Sequence, residues 1–473
     1  MLDYLFIPEI MLTIGLLLII LVDLFSRSER LSYLLMQLLL ILTIYSAINN
    51  QDLVYNYASY DLNEFTNSLK IIILVGSLII FHYSYKHLAY LKSYQSEYLS
   101  ISVLGLLGTM VMISAKSLLM LYLGIELLSL SLYALIGFNK KSPLSSEAAI
   151  KYYILGAMSS GILLFGISLI YGFTGSILYD EISRELAIID NQSVQYMGIV
   201  FGIVFITASV CFKFGAAPFH MWVPDIYQGS LVSTTVLLST LPKIGVFIVF
   251  LKLYYIAFIS IETIWSDILI FVGTLSIIIG SIFALSQTNI KRLLAYSAIS
   301  NIGFIILSLG LPSMAGLQAS FYYAIIYTLT ALASFGIITH ITVNSLGVED
   351  IRGLSGLSKT HPFISILILI TMLSSAGIPP LIGFHAKLIV IQSIIDSSMI
   401  WLAVIVVLMT VISAYYYLKV IKTIFFDERI DLISIIPGNN FILTVNVTLL
   451  LILGIIPSIV YNLSYSIIST LAL

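Results

Sequence analysis

The chain has 473 residues, 60% of them hydrophobic and only 9% charged, whereas an average soluble protein carries about 25% charged residues. A formal net charge of −2 leaves no basic footprint for nucleic acid, and the single cysteine, Cys211, excludes an intrachain disulfide or a thiolate cluster. Most of the six histidines fall near span ends or loops, and none are paired in mid-membrane, so the sequence offers no bis-histidine haem site and no other redox centre.

A membrane helix needs about 20 apolar residues, and on that rule the sequence predicts an all-α polytopic membrane protein with about 14 transmembrane helices. They lie near 5–25, 31–49, 68–85, 98–114, 117–138, 147–172, 196–216, 230–258, 263–286, 290–310, 315–345, 361–393, 398–420 and 440–465. The start, Met1-Leu2-Asp3-Tyr4, has no basic segment before its apolar run, so the first helix is expected to be retained rather than cleaved as a signal or presequence. With the N-terminus outside, the inside loops collect Arg27, Arg30, Lys86, Lys92, Lys140, Lys141, Lys291, Arg292, Arg352, Lys359, Lys422 and Arg429. The outside loops collect Asp52, Asp61, Glu64, Asp180, Glu181, Glu185, Asp190 and Glu262, with Arg184 the one basic residue well inside them and Lys70 and Lys116 at their margins. The positive-inside rule thus supports the span count and places both termini outside.

Two spans are interrupted. The seventh breaks at Gly215-Ala216-Ala217-Pro218 beside Lys213, and the twelfth at Gly377-Ile378-Pro379-Pro380, followed by His385 and Lys387. The breaks are five helices apart, and a block with an odd number of helices is inverted when it repeats. The expected organisation is therefore 1–95 (helices 1–3), 96–259 (a first five-helix repeat, helices 4–8), 260–426 (a second, inverted repeat, helices 9–13) and 427–473 (helix 14), with helices 7 and 12 broken. Matching Gly/Pro interruptions in two halves are a pointer to an ion path through a membrane.

Glu126 is the one carboxylate placed in the middle of a span, and a carboxylate there is either a protonated structural acid or a functional group. Lys213, Lys243 and Lys387 are the clearest intramembrane lysines; insertion scales put the cost of such a charge at about 2.5–3.5 kcal/mol. Lysine can shed its proton when dehydrated, whereas arginine stays charged, so three lysines without an arginine suit proton transfer. Pro242 frees a carbonyl beside Lys243, and the Ser239 and Thr240 hydroxyls are placed to hold water. The bland alternative, snorkelling to the headgroups, fits Lys151, Lys252 and Lys419 better, because they sit nearer span ends. A Glu126–Lys213 pair would make a switch: opening a buried pair costs about 3–5 kcal/mol, comparable to the roughly 2.3 kcal/mol needed to move one charge through 100 mV. His220 reads either as a proton relay or as a cap of the broken helix; His340 and His385 are weaker candidates of the same kind. Trp222 and Trp265 read as interface anchors.

Several segments together resemble one family: Glu126-Leu-Leu-Ser-Leu, Phe212-Lys213-Phe-Gly-Ala-Ala-Pro-Phe-His220-Met-Trp-Val-Pro-Asp225, Leu241-Pro-Lys243-Ile-Gly, Ser286-Gln-Thr-Asn-Ile-Lys291-Arg292-Leu-Leu-Ala-Tyr-Ser-Ala-Ile-Ser300, and Gly377-Ile-Pro-Pro-Leu-Ile-Gly-Phe384. They resemble the antiporter-like, proton-pumping membrane subunits of respiratory complex I, most closely the subunit 2 (bacterial chain N) branch. The resemblance implies proton translocation through Glu126, Lys213, Lys243 and Lys387, with no cofactor in this chain. FMN, iron–sulfur clusters and ubiquinone are expected in partner subunits, and neighbouring antiporter-like and small membrane-arm subunits are the expected partners, along with membrane lipid. Lysine at 387, where the sister subunits carry glutamate, and the lack of a long lateral helix after helix 14 favour that branch. Asn301 departs from relatives that carry histidine after a similar Tyr-Ser motif, which puts a relay through it in doubt. The Ile, Leu, Tyr and Phe bias suggests an organellar gene and a mitochondrial inner membrane, with a bacterial plasma membrane as the alternative. A subunit of a multi-subunit cation/proton antiporter and a sealing scaffold are the competing functions.

Overall fold

A computed structural model describes residues 7–26, 28–49, 55–57, 59–91, 95–190, 192–341, 349–428 and 440–471. Arg27, Asp52, Lys92 and Arg429 of the topology argument, and the first four residues, lie outside the described residues. Those described form nineteen α-helices and one two-stranded hairpin, Tyr55–Tyr57 with Tyr60–Leu62. In chain order the helices are α1 (Pro8–Ser26), α2 (Glu29–Asn49), α3 (Glu64–Leu91), α4 (Gln95–Ser114), α5 (Leu118–Ile136), α6 (Pro143–Thr174), α7 (Tyr179–Ile188), α8 (Val194–Phe214), α9 (Trp222–Gly229) and α10 (Val232–Lys252). Then follow α11 (Glu262–Leu285), α12 (Ile290–Leu309), α13 (Met314–Ile341), α14 (Leu357–Thr360), α15 (Pro362–Ala376), α16 (Ile382–Asp396), α17 (Ile400–Phe425), α18 (Phe441–Ile455) and α19 (Ser458–Ser469).

Among the described residues twelve helices are long and apolar enough to cross a membrane alone, and α18 with α19, bent by 88°, makes a thirteenth if read as one span. The expected span at 361–393 is present as the fifteen-residue helices α15 and α16, divided at the Gly377–Pro380 break. The seventh expected span runs uninterrupted for 21 residues and ends at Phe214; its break is followed by the short α9. The bend at 455–458 is a third break beyond the two expected, and Gly454-Ile-Ile-Pro457 carries a Gly/Pro signal like theirs.

The chain divides into two compact units. The first comprises Met1–Phe214, Leu241–Trp265 and Ser469–Leu473; the second comprises Gly215–Thr240 and Ser266–Ile468. In the first, α6 and α8 pack so closely at Gly166 and Gly202 that a Cβ on either would stand 2.8 Å or 3.1 Å from the other's carbonyl oxygen. Small residues allow such backbone approach between membrane helices. Ser159 and Ser209 then join the same two helices, their hydroxyl oxygens 2.9 Å apart. One end of this unit is closed by the hairpin, which bridges from Tyr60 to Ala115, and by α7, reached through a Ser117–Leu178 bridge. In the second unit α12 begins at an Asn289 cap whose side chain accepts from the Lys291 and Arg292 amides, and Arg292 reaches Asp225 on α9 at 2.7 Å.

Trp265 is no interface anchor: it is buried, donates its indole N–H to the Phe258 carbonyl at 3.0 Å and packs against Tyr254 and Tyr255. Trp222 is buried as well, and the exposed tryptophan is Trp401. Aromatic content near a span end marks an interface only if the ring reaches the lipid, which packing decides.

Candidate functional site

Glu126 and Ser129 stand three residues apart on α5, hence on one face. Ser160 comes from α6 and Lys213 from the last turn of α8. The Ser160 hydroxyl donates to Glu126 Oε1 and accepts from Lys213 Nζ at 3.2 Å; Lys213 also donates to Ser129 Oγ at 2.9 Å. The expected Glu126–Lys213 pairing is thus made through one hydroxyl, which neither the span map nor the motif points out. The α6–α8 contact at Gly166 and Gly202 is what brings Ser160 to the lysine.

The next group follows from how α8 stops. Gly215 takes a positive φ of 80°, turning the chain out of the helix, and the carbonyls of the last turn lose their usual partners. Lys243 on α10 donates to the Phe214 carbonyl at 2.5 Å. Its ammonium therefore sits at the negative end of the α8 dipole. Because Phe214 adjoins Lys213, the three sequence-selected groups of the first unit form one polar series: Glu126, Ser160, Lys213, the Phe214 carbonyl and Lys243. The Ser239 and Thr240 hydroxyls donate back to the Val236 carbonyl of their own helix, at 3.0 and 2.7 Å, which leaves their lone pairs as acceptors.

Lys387 lies in the second unit and repeats the Lys243 arrangement locally. Gly377, at φ 83°, ends α15, and Lys387 from α16 donates to the Ala376 and Ser375 carbonyls at 2.9 and 3.0 Å, with Ser413 Oγ at 3.5 Å. Lys213, Lys243 and Lys387 are 6%, 2% and 7% exposed, which rules out snorkelling for all three. Lys151, by contrast, pairs with Glu147 on an exposed helix turn, and Lys419 is exposed.

Two adjoining cavities lie in this unit, each with room for about one water, and Lys387 lines one of them. They share Asn301, Tyr327, Thr330 and Ser375 as walls. Tyr327 borders both and Ser374 the one that Lys387 lines, and neither hydroxyl has a protein hydrogen-bond partner among the described residues, which is where buried water is expected. Asn301 stands at the centre: its Oδ1 accepts from the Tyr323 hydroxyl at 2.9 Å, and its amide donates to Ser297 Oγ, which bonds Tyr417. A carboxamide cannot take up and release a proton as histidine does, but it can hold water in place.

His220 is buried in the turn after the break. Its ring hydrogen-bonds the Pro218 carbonyl, while Nδ1 has no protein partner among the described residues. The cap and the relay readings are thus both accommodated by one ring. His340 Nδ1 stands 2.9 Å from the Gly336 carbonyl of its own helix, a packing role. Among the described residues no cluster of three metal-ligating side chains is present.

Residues 115–413 match the family described as the NADH:quinone oxidoreductase/Mrp antiporter transmembrane family. The chain is 39% identical over 469 residues to NADH-quinone oxidoreductase subunit N of Hydrogenovibrio crunogenus, covering 97% of each. A chain of respiratory complex I from Thermus thermophilus superposes with a TM-score of 0.80 at 26% identity, covering 96% of this chain and 98% of that one. A chain of the Mrp complex from Dietzia sp. superposes with a TM-score of 0.86 at 19% identity, covering 99% and 97%, a likeness of fold alone. With a family match over well more than half its length and a relative this similar from end to end, the chain belongs to the NADH:quinone oxidoreductase/Mrp antiporter family of membrane subunits.

Proposed function

We propose that this chain is a proton-translocating membrane-arm subunit of an NADH:quinone oxidoreductase, in which Glu126, Lys213, Lys243 and Lys387 carry the proton transfers. The observation that supports this most is the Ser160 hydroxyl shared by Glu126 and Lys213, one peptide away from the carbonyl that Lys243 caps. While the carboxylate is held through Ser160, Lys213 keeps its proton. When the series opens, dehydration favours the neutral amine, and the proton moves on towards Lys243. Lys387, beside its water-sized cavity, takes the corresponding part in the second unit, and His220 is available as a relay through its free Nδ1.

The chain brings no redox group of its own to this reading, so the drive comes from partner subunits that hold flavin, iron–sulfur clusters and quinone. Neighbouring antiporter-like and small membrane subunits pass it on through charge and conformation. The two five-helix repeats, 96–259 and 260–426, form part of the same proposal. The relatives described above are bacterial, which supports a plasma membrane over the mitochondrial inner membrane that the composition suggested.

The test is Lys243→Ala and Glu126→Ala in the whole complex, with NADH-driven proton uptake followed in inside-out vesicles. Both variants assemble but pump and turn over poorly, and Glu126→Asp is milder. Full pumping by Lys243→Ala would overturn the proposal in favour of a scaffold. The family description, which also covers Mrp antiporters, leaves one second reading, a cation/proton antiporter subunit. Its signature is cation exchange in isolated membranes that ignores NADH oxidation.

A further inference from the structure

The arrangement at Lys243 and Lys387 occurs a third time. Lys252, in the last turn of α10, is fully buried and donates at 2.8 Å to the carbonyl of Ala115, the first residue beyond α4. Its ammonium thus meets the negative end of a helix, as the other two do. Immediately after it, Leu253–Ala257 wind as a π-helix closed by the Phe258 amide on the Leu253 carbonyl at 2.8 Å. Short π-helical turns within helices are frequent at functional sites.

A second buried charge set meets Lys252 at the same segment. Glu9, in the first turn of α1, pairs with the fully buried Lys70 at 2.8 Å. The Glu9 carboxylate also accepts from Ser114 Oγ at 2.6 Å and from the Tyr60 hydroxyl at 3.0 Å. Ser114 and Ala115 are neighbours, so the carboxylate and Lys252 bind consecutive residues. The next residue, Lys116, is partly exposed and pairs with Asp180, which puts water one residue further on. Among the buried groups of this set, one carboxylate faces two amines. Asp61, half-buried on the hairpin, and the Lys116–Asp180 pair complete its charged surroundings. Stability alone is a poor reason for such a cluster, because buried ion pairs are often no better than well-packed apolar residues. Ionisable groups inside a membrane point instead to ion pathways.

We propose that Lys252, with the Glu9–Lys70 pair as its counter-charge, is a further proton-exchange site, at the end of α10 where Ala115 and Lys116 lead to the surface. The inference rests on the reading of this chain as a proton translocator. In the exchange an N–H bond of the Lys252 ammonium breaks and the proton goes to water at that end of the bundle. The amine is left neutral and still able to donate to the Ala115 carbonyl; reprotonation from within the chain restores the ammonium.

Lys252→Arg separates this role from a structural one, since arginine keeps the charge and the donor but does not release its proton. Lys252→Gln, which keeps a donor for Ala115 and has no proton to exchange, is the second variant in case arginine does not fit. Each is made in the whole complex, checked for assembly on a native gel, and assayed in inside-out vesicles beside Lys243→Gln. The rate of NADH-driven proton uptake, normalised to assembled complex, should fall about tenfold in a Lys252 variant, less than the full value of a positioned proton-transfer group because other steps share control. Wild-type uptake in either assembled Lys252 variant, with Lys243→Gln defective, would overturn this inference alone. Wild-type uptake in Lys243→Gln as well would overturn the proton-translocating reading itself. As a further arm, Glu9→Gln with Lys70→Met removes the buried pair and leaves Lys252 without its counter-charge, and unchanged uptake there would also count against the proposal.

Discussion

Ser160→Ala is the sharpest probe of the first unit, because it removes a hydroxyl and no charge. In the native chain that hydroxyl donates to Glu126 and accepts from Lys213 at 3.2 Å, and both Ser160 and Lys213 are buried. A hydrogen bond to a charged group is worth about 1.5–3 kcal/mol net; two are lost, one at Glu126 and one at Lys213, while Lys213 keeps its bond to Ser129 at 2.9 Å, so the loss is at least the worth of one such bond. At about 1.4 kcal/mol per factor of ten, the balance between the linked and the opened state shifts roughly ten- to a hundredfold. The variant should assemble at normal levels, because Gly166, Gly202, Ser159 and Ser209 still hold α6 against α8 when the Ser160 hydroxyl is gone. NADH-driven proton uptake in inside-out vesicles, normalised to assembled complex, should fall accordingly, while Ser160→Thr retains most of it. Wild-type uptake in Ser160→Ala alongside a defective Glu126→Ala would show that Glu126 and Lys213 communicate by another route.

Gly377→Ala should be costly for two reasons: the residue holds φ 83°, and the added Cβ would stand 2.9 Å from Lys387 Cδ. The left-handed backbone alone costs about 1–2 kcal/mol, so the variant should lower the thermal stability of the complex and impair pumping, whereas Gly76→Ala, with nothing within 4 Å of its Cβ, should do neither. The Arg292–Asp225 pair is partly exposed, so a double-mutant cycle on proton uptake should give a coupling of only about 0.2–1 kcal/mol. A coupling several times larger would mean that this pair is sealed from water in the working complex.

Much of the site was legible along the chain. Long apolar runs with a lysine or glutamate inside them are local facts, so Glu126, Lys213, Lys243 and Lys387 stood out before any fold was known, as did the Gly-Pro breaks at 215–218 and 377–380. The burial of Lys252 and of the Glu9–Lys70 pair was not legible. Both sets lie near span ends, where hydropathy cannot tell a side chain reaching for the headgroups from one covered by a hairpin and α7.

What the sequence determined by itself is the class of the molecule, a helical membrane protein, and the identity of the charges placed in mid-span, because the cost of placing a charge in hydrocarbon is felt residue by residue. What only the tertiary structure decided is whom each charge meets. Ser160 reaches Lys213 across 53 positions of chain and Lys252 reaches Ala115 across 137. Such pairings arise from the packing of helices on one another, and no local pattern encodes them. The shared use of helix-end carbonyls by Lys243, Lys252 and Lys387 has the same origin: a backbone oxygen is chemically alike at every residue, and only the fold leaves a particular one bare.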